Sequence, residues 1–378
     1  MRFILSNGGF IMTTAFASPS TYVQGKDLLK TASKYIKPFG ENGILLTDSI
    51  VWGLVGEKFF KYLTEDGLEI EHVEFQGESS PEEIERIKKI GESSNAKFII
   101  ALGGGKTNDT TKAVGDELKI PVVITPTLAS NDSPCTRLSV IYSEDGEFLH
   151  YTFYDKNPDL VLVDDSVIAG APVKFLIDGM ADALSTNIEA QTVARARQTT
   201  LLPLKTQQTQ AGIALAERCE KLLFKYGDQA VASASSHMVT PALDHIIEAN
   251  ILLSGVGAES SGLAAAHSFQ NGLTALSGDV HKMSHGQKVS FGSLLNLVLE
   301  GASDNQLTKY ATFEHNLGLP TTLKDLHLEN ASDEDLMKAA ELTTQDGETI
   351  HNMGFEVTAD DVFQGIKAVD SFTTNLFG

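Results

Sequence analysis

Between Gly43 and Asp165 the chain repeats one alternation, a short apolar run followed by a segment of helical periodicity, and this constrains the fold more than any other feature. GILLTD leads into SIVWGLVGEKFFKYLTEDG, EIEHVEF into SPEEIERIKKIGESS, and KFIIALGGG into TNDTTKAVGDEL; PVVITPT, RLSVIY and DLVLVD complete the series. Strands separated by helices of this length pair in parallel and are covered on both faces, so a doubly wound α/β domain is expected. Past GAPVKFL the β signal stops. Pro172 suits the first turn of a helix, and 3.6-residue periodicity over 172–197, 205–225 and 245–276 predicts an all-α second half. The expected division is therefore residues 1–171 and 172–378, with a ligand cleft between the halves. A length of 378 residues with 42% hydrophobic content is ample for two cores.

The net charge of −21 is not interrupted by any Lys/Arg cluster, which argues against nucleic acid as a partner. Two cysteines, Cys135 and Cys219, cannot build a disulfide framework or a thiolate zinc cluster, so a reducing, cytoplasmic setting is expected. The opening MRFILSNGGFIMTTAFASPSTYV has a leader-like apolar run, but Ser6, Asn7, Gly8 and Gly9 break it, and Met12 could serve as an alternative start. Residues 1–17 are read as a disordered extension. No stretch is long enough to span a membrane, so no membrane partner is expected.

GGGKTND, Gly103 to Asp109, resembles a phosphate loop at first sight. A P-loop needs glycine six positions before its lysine, where Ile100 stands, and the dinucleotide fingerprint GxGxxG fails at Asn108. What remains is an apolar strand running through glycines into a helix, an arrangement that exposes amides to an anion such as a pyrophosphate. A tight turn without a ligand is the competing reading. Asp48, closing GILLTD, could accept a ribose hydroxyl and repel a 2′-phosphate, or simply cap the helix that follows.

In the second half, Asp182 lies on an otherwise apolar helix, His267 follows three alanines, and His285 sits in MSHGQKVSFG. An Asp and two His with one open position suit catalytic zinc, although such long gaps are also compatible with polar groups satisfied inside a helical bundle. Ser130, Asp132 and Tyr142, in and after TPTLASNDSPCTRLSVIY, could line the same cleft.

Taken in order from about Tyr22 to Ala368, GGGKTND, TPTLASNDSP, LSVIY, NPDLVLVD, GMADALSTNIEA, VTPALDHIIEANILLSGVGAESSGLAAAHSFQNGLTA, HGQKVSFG and GETIHNM resemble the glycerol dehydrogenase family. That family belongs to the metal-dependent, iron-containing-type alcohol dehydrogenase superfamily, which also holds dehydroquinate synthase. The resemblance implies a Rossmann-like dinucleotide-binding domain, an all-α metal-binding domain in a dehydroquinate synthase-like architecture, and zinc between them on Asp182, His267 and His285. It implies NAD contacts at Asp48, Gly104, Gly105, Lys106, Thr107, Asp109, Thr127, Ser130, Thr136, Leu138 and Tyr142, with Asp132 touching the substrate.

The implied activity is oxidation of glycerol or a similar small diol, zinc polarising the secondary hydroxyl for hydride transfer to NAD. Homo-oligomers, often octamers, are implied as well. Departures from the family pattern fall at Phe269, Gln270 and Gln287, and they leave open the choice among glycerol, 1,2-propanediol and 2,3-butanediol. A phospho-substrate enzyme would need more basic residues than Lys282 and Lys288 near the histidines. A catalytically idle NAD-binding protein would lack the metal.

Overall fold

The computed structural model describes residues 13–378. The leader-like run and the alternative start at Met12 lie outside the described residues. Residues 13–17, expected to belong to a disordered extension, instead pack on the second half of the chain. Thr14 bridges to Gln207, the Ala15 amide donates to the Gln207 carbonyl (3.3 Å), and the Ala17 amide donates to Ser260 Oγ (3.3 Å).

Eight strands are β1 (Tyr22–Gly25), β2 (Asn42–Thr47), β3 (Glu69–Glu74), β4 (Ile99–Gly103), β5 (Val122–Pro126), β6 (Leu138–Tyr142), β7 (Phe148–Phe153) and β8 (Leu160–Asp164). Six form one sheet in the order β1-β8-β5-β4-β2-β3, every neighbour parallel. The central strands are apolar throughout because both faces are covered. Leu45, Ile100, Val123 and Leu162 point into a core with Phe59 and Phe98, while Ile44, Leu46, Ile99, Ala101 and Val161 point into the other, which continues into the helical half.

RLSVIY does form a strand, but it does not extend the sheet. β6 pairs antiparallel with the exposed strand β7, and this hairpin lies against the helix Gly105–Leu118.

From Val173 onward the described chain contains no strand. The helix Val173–Ala196 touches the loop after β5 at Gly179 and packs against the helices Gln210–Ser235 and His285–Leu299. The periodic stretch 245–276 is broken rather than continuous: Gly262 takes φ +90°, ending the helix Ser254–Ser261 and allowing a new helix, Ala265–Gly272, to start in another direction. Among the described residues no helix is long and apolar enough to cross a membrane.

Candidate metal and dinucleotide site

Three helices bring Asp182, His267 and His285 together, with ligand atoms all within 4.8 Å of one another. Asp182 Oδ1 stands 3.4 Å from His267 Nε2 and 3.2 Å from His285 Nε2. The other carboxylate oxygen, Asp182 Oδ2, is buried and has no hydrogen-bond partner among the described residues. A buried acceptor without a donor is costly unless something else satisfies it. A carboxylate with one such orphaned oxygen, together with two imidazole nitrogens, matches the donor set of an open divalent-metal site. Burial pushes the Asp182 carboxyl upward, but His285 and His267 outweigh it and hold the group well below the carboxylate range.

Local structure explains the placement of the two histidines. His285 opens the helix His285–Leu299 behind the N-cap Ser284, whose side chain receives the Gln287 amide while Gln287 Oε1 receives the Ser284 amide. Gln287 is thus a capping residue, a task that glutamate performs equally well. His267 lies in the first turn of Ala265–Gly272, a helix with no side-chain cap of its own.

Glu189, fully buried on the helix that carries Asp182, supplies that cap. Its Oε1 accepts the Ala264 and His267 amides (2.8 and 3.2 Å), and its Oε2 lies 2.6 Å from His267 Nδ1. Burial opposes charge on His267, but the Glu189 and Asp182 carboxylates prevail and hold its pKa well above the ordinary value. Glu189 sits two helical turns from Asp182 on the same face, a signal visible in the sequence only once the ligand set is known.

Asp132 reaches this cluster from the loop after β5. Burial first, and then the neighbouring Asp182, raise its carboxyl to about 7, against opposing pulls from His267 and His285. The loop is clasped by the helical half. Asn250 Nδ2 donates to the Ala129 and Leu176 carbonyls (2.9 and 3.0 Å), and Gly179 lies so close to the Ala129 carbonyl that a methyl group would collide with it.

The dinucleotide candidates gather along the carboxyl edge of the sheet, where ligands bind in folds of this kind. Gly104 caps the helix Gly105–Leu118 without a side chain, the Thr127 amide donates to Gly103 O (3.0 Å), and Gly105 faces Asn131. Thr127 and Thr136 are buried and Ser130 is half-buried; Leu138 begins β6 and Tyr142 ends it. Lys106 Nζ is 2.5 Å from Glu78 Oε1 and 5.3 Å from the centre of the Tyr142 ring, whose hydroxyl burial lifts to about 12. Thr107 is buried beneath Gly103.

Asp48 caps the helix after β2 through Oδ1, which accepts the Ile50 and Val51 amides, both at 2.9 Å. Only Oδ2 is left for a ligand. Asp109 turns away from the loop into the protein, its carboxylate meeting Lys112 Nζ (2.9 Å) and the Val140 amide (3.0 Å). Glu78, Lys112, Asn131, Asn250 and Glu189 are residues of this region that the motifs did not single out.

Phe269 is fully buried against Phe291, ring centres 5.4 Å apart, so it belongs to the core. Lys282 is bound to Asp279 on the surface (2.8 Å), and Lys288 is half-buried, its amine lowered by desolvation.

Residues 19–165 match the family described as iron-containing alcohol dehydrogenase. The chain is 42% identical to a glycerol dehydrogenase of Escherichia coli, an alignment covering 96% of this chain and 98% of the relative. It is 43% identical to a glycolaldehyde reductase of Halobacterium salinarum, covering 95% and 98%. The crystal structure of glycerol dehydrogenase from Schizosaccharomyces pombe superimposes with a TM-score of 0.93 at 37% identity, covering 97% of this chain and 92% of that one.

Proposed function

The chain belongs to the iron-containing alcohol dehydrogenase family, and on that premise we propose that it catalyses the NAD-dependent oxidation of glycerol to dihydroxyacetone, and the reverse, with zinc on Asp182, His267 and His285. The observation that carries this reading is the convergence of three ligand atoms within 4.8 Å of one another, one of the Asp182 oxygens lacking any hydrogen-bond partner among the described residues, with Asp132 nearby. When bound, the metal supplies Lewis acidity at the secondary hydroxyl of the diol and NAD supplies the hydride acceptor.

The protein's part is to hold and orient. Backbone amides at Gly104, Gly105, Lys106 and Thr107 open the helix Gly105–Leu118 and receive the pyrophosphate, helped by the positive end of the helix dipole. Lys106 is already paired with Glu78, so the backbone carries most of that recognition. Asp48 Oδ2 would accept from the adenosine ribose, and Thr127, Ser130, Thr136, Leu138 and Tyr142 would supply further contacts to NAD. Asp132 presents its carboxylate to the diol, and Glu189 fixes the His267 ring so that Nε2 faces the ligand position.

A homo-oligomeric, octameric, cytoplasmic enzyme is part of the same reading. The similarity to a glycolaldehyde reductase favours a second capacity, reduction of small hydroxyaldehydes in the reverse direction. A panel of glycerol, 1,2-propanediol and 2,3-butanediol with NAD and NADP, and of glycolaldehyde and dihydroxyacetone with NADH, tests the proposal. Glycerol with NAD is expected to lead the oxidations, and no turnover in either direction would overturn it.

A further inference from the structure

Lys112 is 3% exposed, yet its ammonium meets three oxygens. It donates to the Ser133 carbonyl (3.0 Å) and to the Leu138 carbonyl, and Asp109 Oδ1 stands at ion-pair distance, 2.9 Å, without forming a hydrogen bond. We propose that Lys112 and Asp109 form a positioning pair that fixes the Asp132-bearing loop relative to the dinucleotide cradle. The inference rests on the dehydrogenase reading for its kinetic consequence.

The arrangement is specific to this connection. Asp109 and Lys112 are three residues apart on the helix Gly105–Leu118, whose first turn is the glycine cradle. From that helix they grip both ends of one segment. Lys112 takes Ser133, the neighbour of Asp132, and Leu138, where β6 begins. Asp109 takes the Val140 amide through its side chain, and its backbone carbonyl accepts the Ser139 hydroxyl (2.9 Å). Asn108 adds a contact from Nδ2 to Ser133 Oγ (3.3 Å).

Thr136 and Leu138, candidate cofactor contacts, fall on the gripped segment, and Asp132 immediately precedes it. Oxygens converging from three directions suit the compact ammonium of lysine and not the planar fork of arginine. A shift of about 1 Å in groups flanking the reacting carbon costs on the order of 100-fold in rate, so a loosened grip is read in turnover.

The native cysteines give a probe that is independent of catalysis. Cys135 lies within the gripped segment and Cys219 lies in the helical core, and both are fully buried. The test compares full-length wild type with Lys112→Met and with Lys112→Met/Asp109→Asn, the second variant removing the carboxylate that the first leaves unpaired. Alkylation of each cysteine is followed by mass spectrometry alongside steady-state kinetics and NAD affinity.

The expected result is at least a tenfold faster labelling of Cys135 with Cys219 unchanged. It is accompanied by at least a tenfold fall in kcat, a higher KM for the diol, and a weaker affinity for NAD. Equal acceleration of both cysteines, unchanged labelling of both, or wild-type kcat and KM in the double variant would overturn the pairing's positioning role. If wild type oxidises no diol, the dehydrogenase reading falls, and the labelling comparison still decides whether the grip exists.

Discussion

The Nδ1 of His267 lies 2.6 Å from Glu189 Oε2, while Oε1 of the same carboxylate caps the helix on which His267 sits. A single buried side chain therefore sets both the ring orientation and the backbone frame of a candidate metal ligand. Glu189→Gln keeps the shape and one acceptor but loses the charge, so it is expected to weaken divalent-metal affinity about 10- to 100-fold. Competition against a chelator of known affinity reads this without reference to turnover; unchanged affinity would contradict the assignment.

Asp48 has one oxygen committed to helix capping and one free for a ribose hydroxyl. Serine also caps helices, so Asp48→Ser is expected to spare stability while removing the charge that repels a 2′-phosphate. The ratio of kcat/KM for NADP to that for NAD should rise about tenfold or more, corresponding to roughly 1.4 kcal/mol or more. Initial rates with both coenzymes measure it, and a constant ratio would exclude Asp48 from coenzyme choice.

Gly179 lies on the Ala129 carbonyl with no space for a methyl group. Gly179→Ala should push the loop away from the helical half and destabilise the protein by about 1–3 kcal/mol or more, as overpacking does. Urea unfolding gives the first quantity, and a higher diol KM is the functional sign that the loop has moved. A neutral substitution would show that the loop is not held there.

Glu314 is fully buried, and neither of its carboxyl oxygens has a hydrogen-bond partner among the described residues; its polar neighbour Ser290 donates to the Pro320 carbonyl. Burial raises the Glu314 carboxyl well above its usual value. The folded protein thus holds this proton more tightly than the unfolded chain, whose glutamate titrates near about 4.3. The group's effect on stability is accordingly a loss as pH rises above that value toward the raised one. Glu314→Gln, which cannot ionise, should flatten this dependence. Unfolding free energies measured from pH 5 to 8 check the sign, and a steeper fall in the variant would refute it.

The centre of the sheet was legible because β2, β4, β5 and β8 are buried on both faces and so read as apolar runs, as in KFIIALGGG, whereas the edge strand β1, YVQG, is half-buried and carries no such signal. β6 was legible as a strand but not as a hairpin, since its partner β7 is exposed and its docking surface is a helix rather than a sheet edge. Asp182, His267 and His285 are too far apart in the chain for spacing to link them, and it was the resemblance of the surrounding segments that joined them. In GGGKTND the resemblance implies a coenzyme contact at Asp109, but only Gly104, Gly105 and Lys106 are not buried, and helical periodicity turns Asp109 and Lys112 inward together. Glu189 is not legible because an acid on a small-residue helix does not reveal the backbone amides it will meet.

The central claim is that Asp182, His267 and His285 hold the divalent metal that NAD-linked diol oxidation needs. Its most direct test is the rate of NADH formation from glycerol and NAD, followed at 340 nm, for wild type before and after chelation, after addition of stoichiometric zinc, and for Asp182→Ala. Activity is expected to be lost on chelation, restored by zinc, and absent from Asp182→Ala under every condition. Turnover that persists through chelation, or in Asp182→Ala, would contradict it.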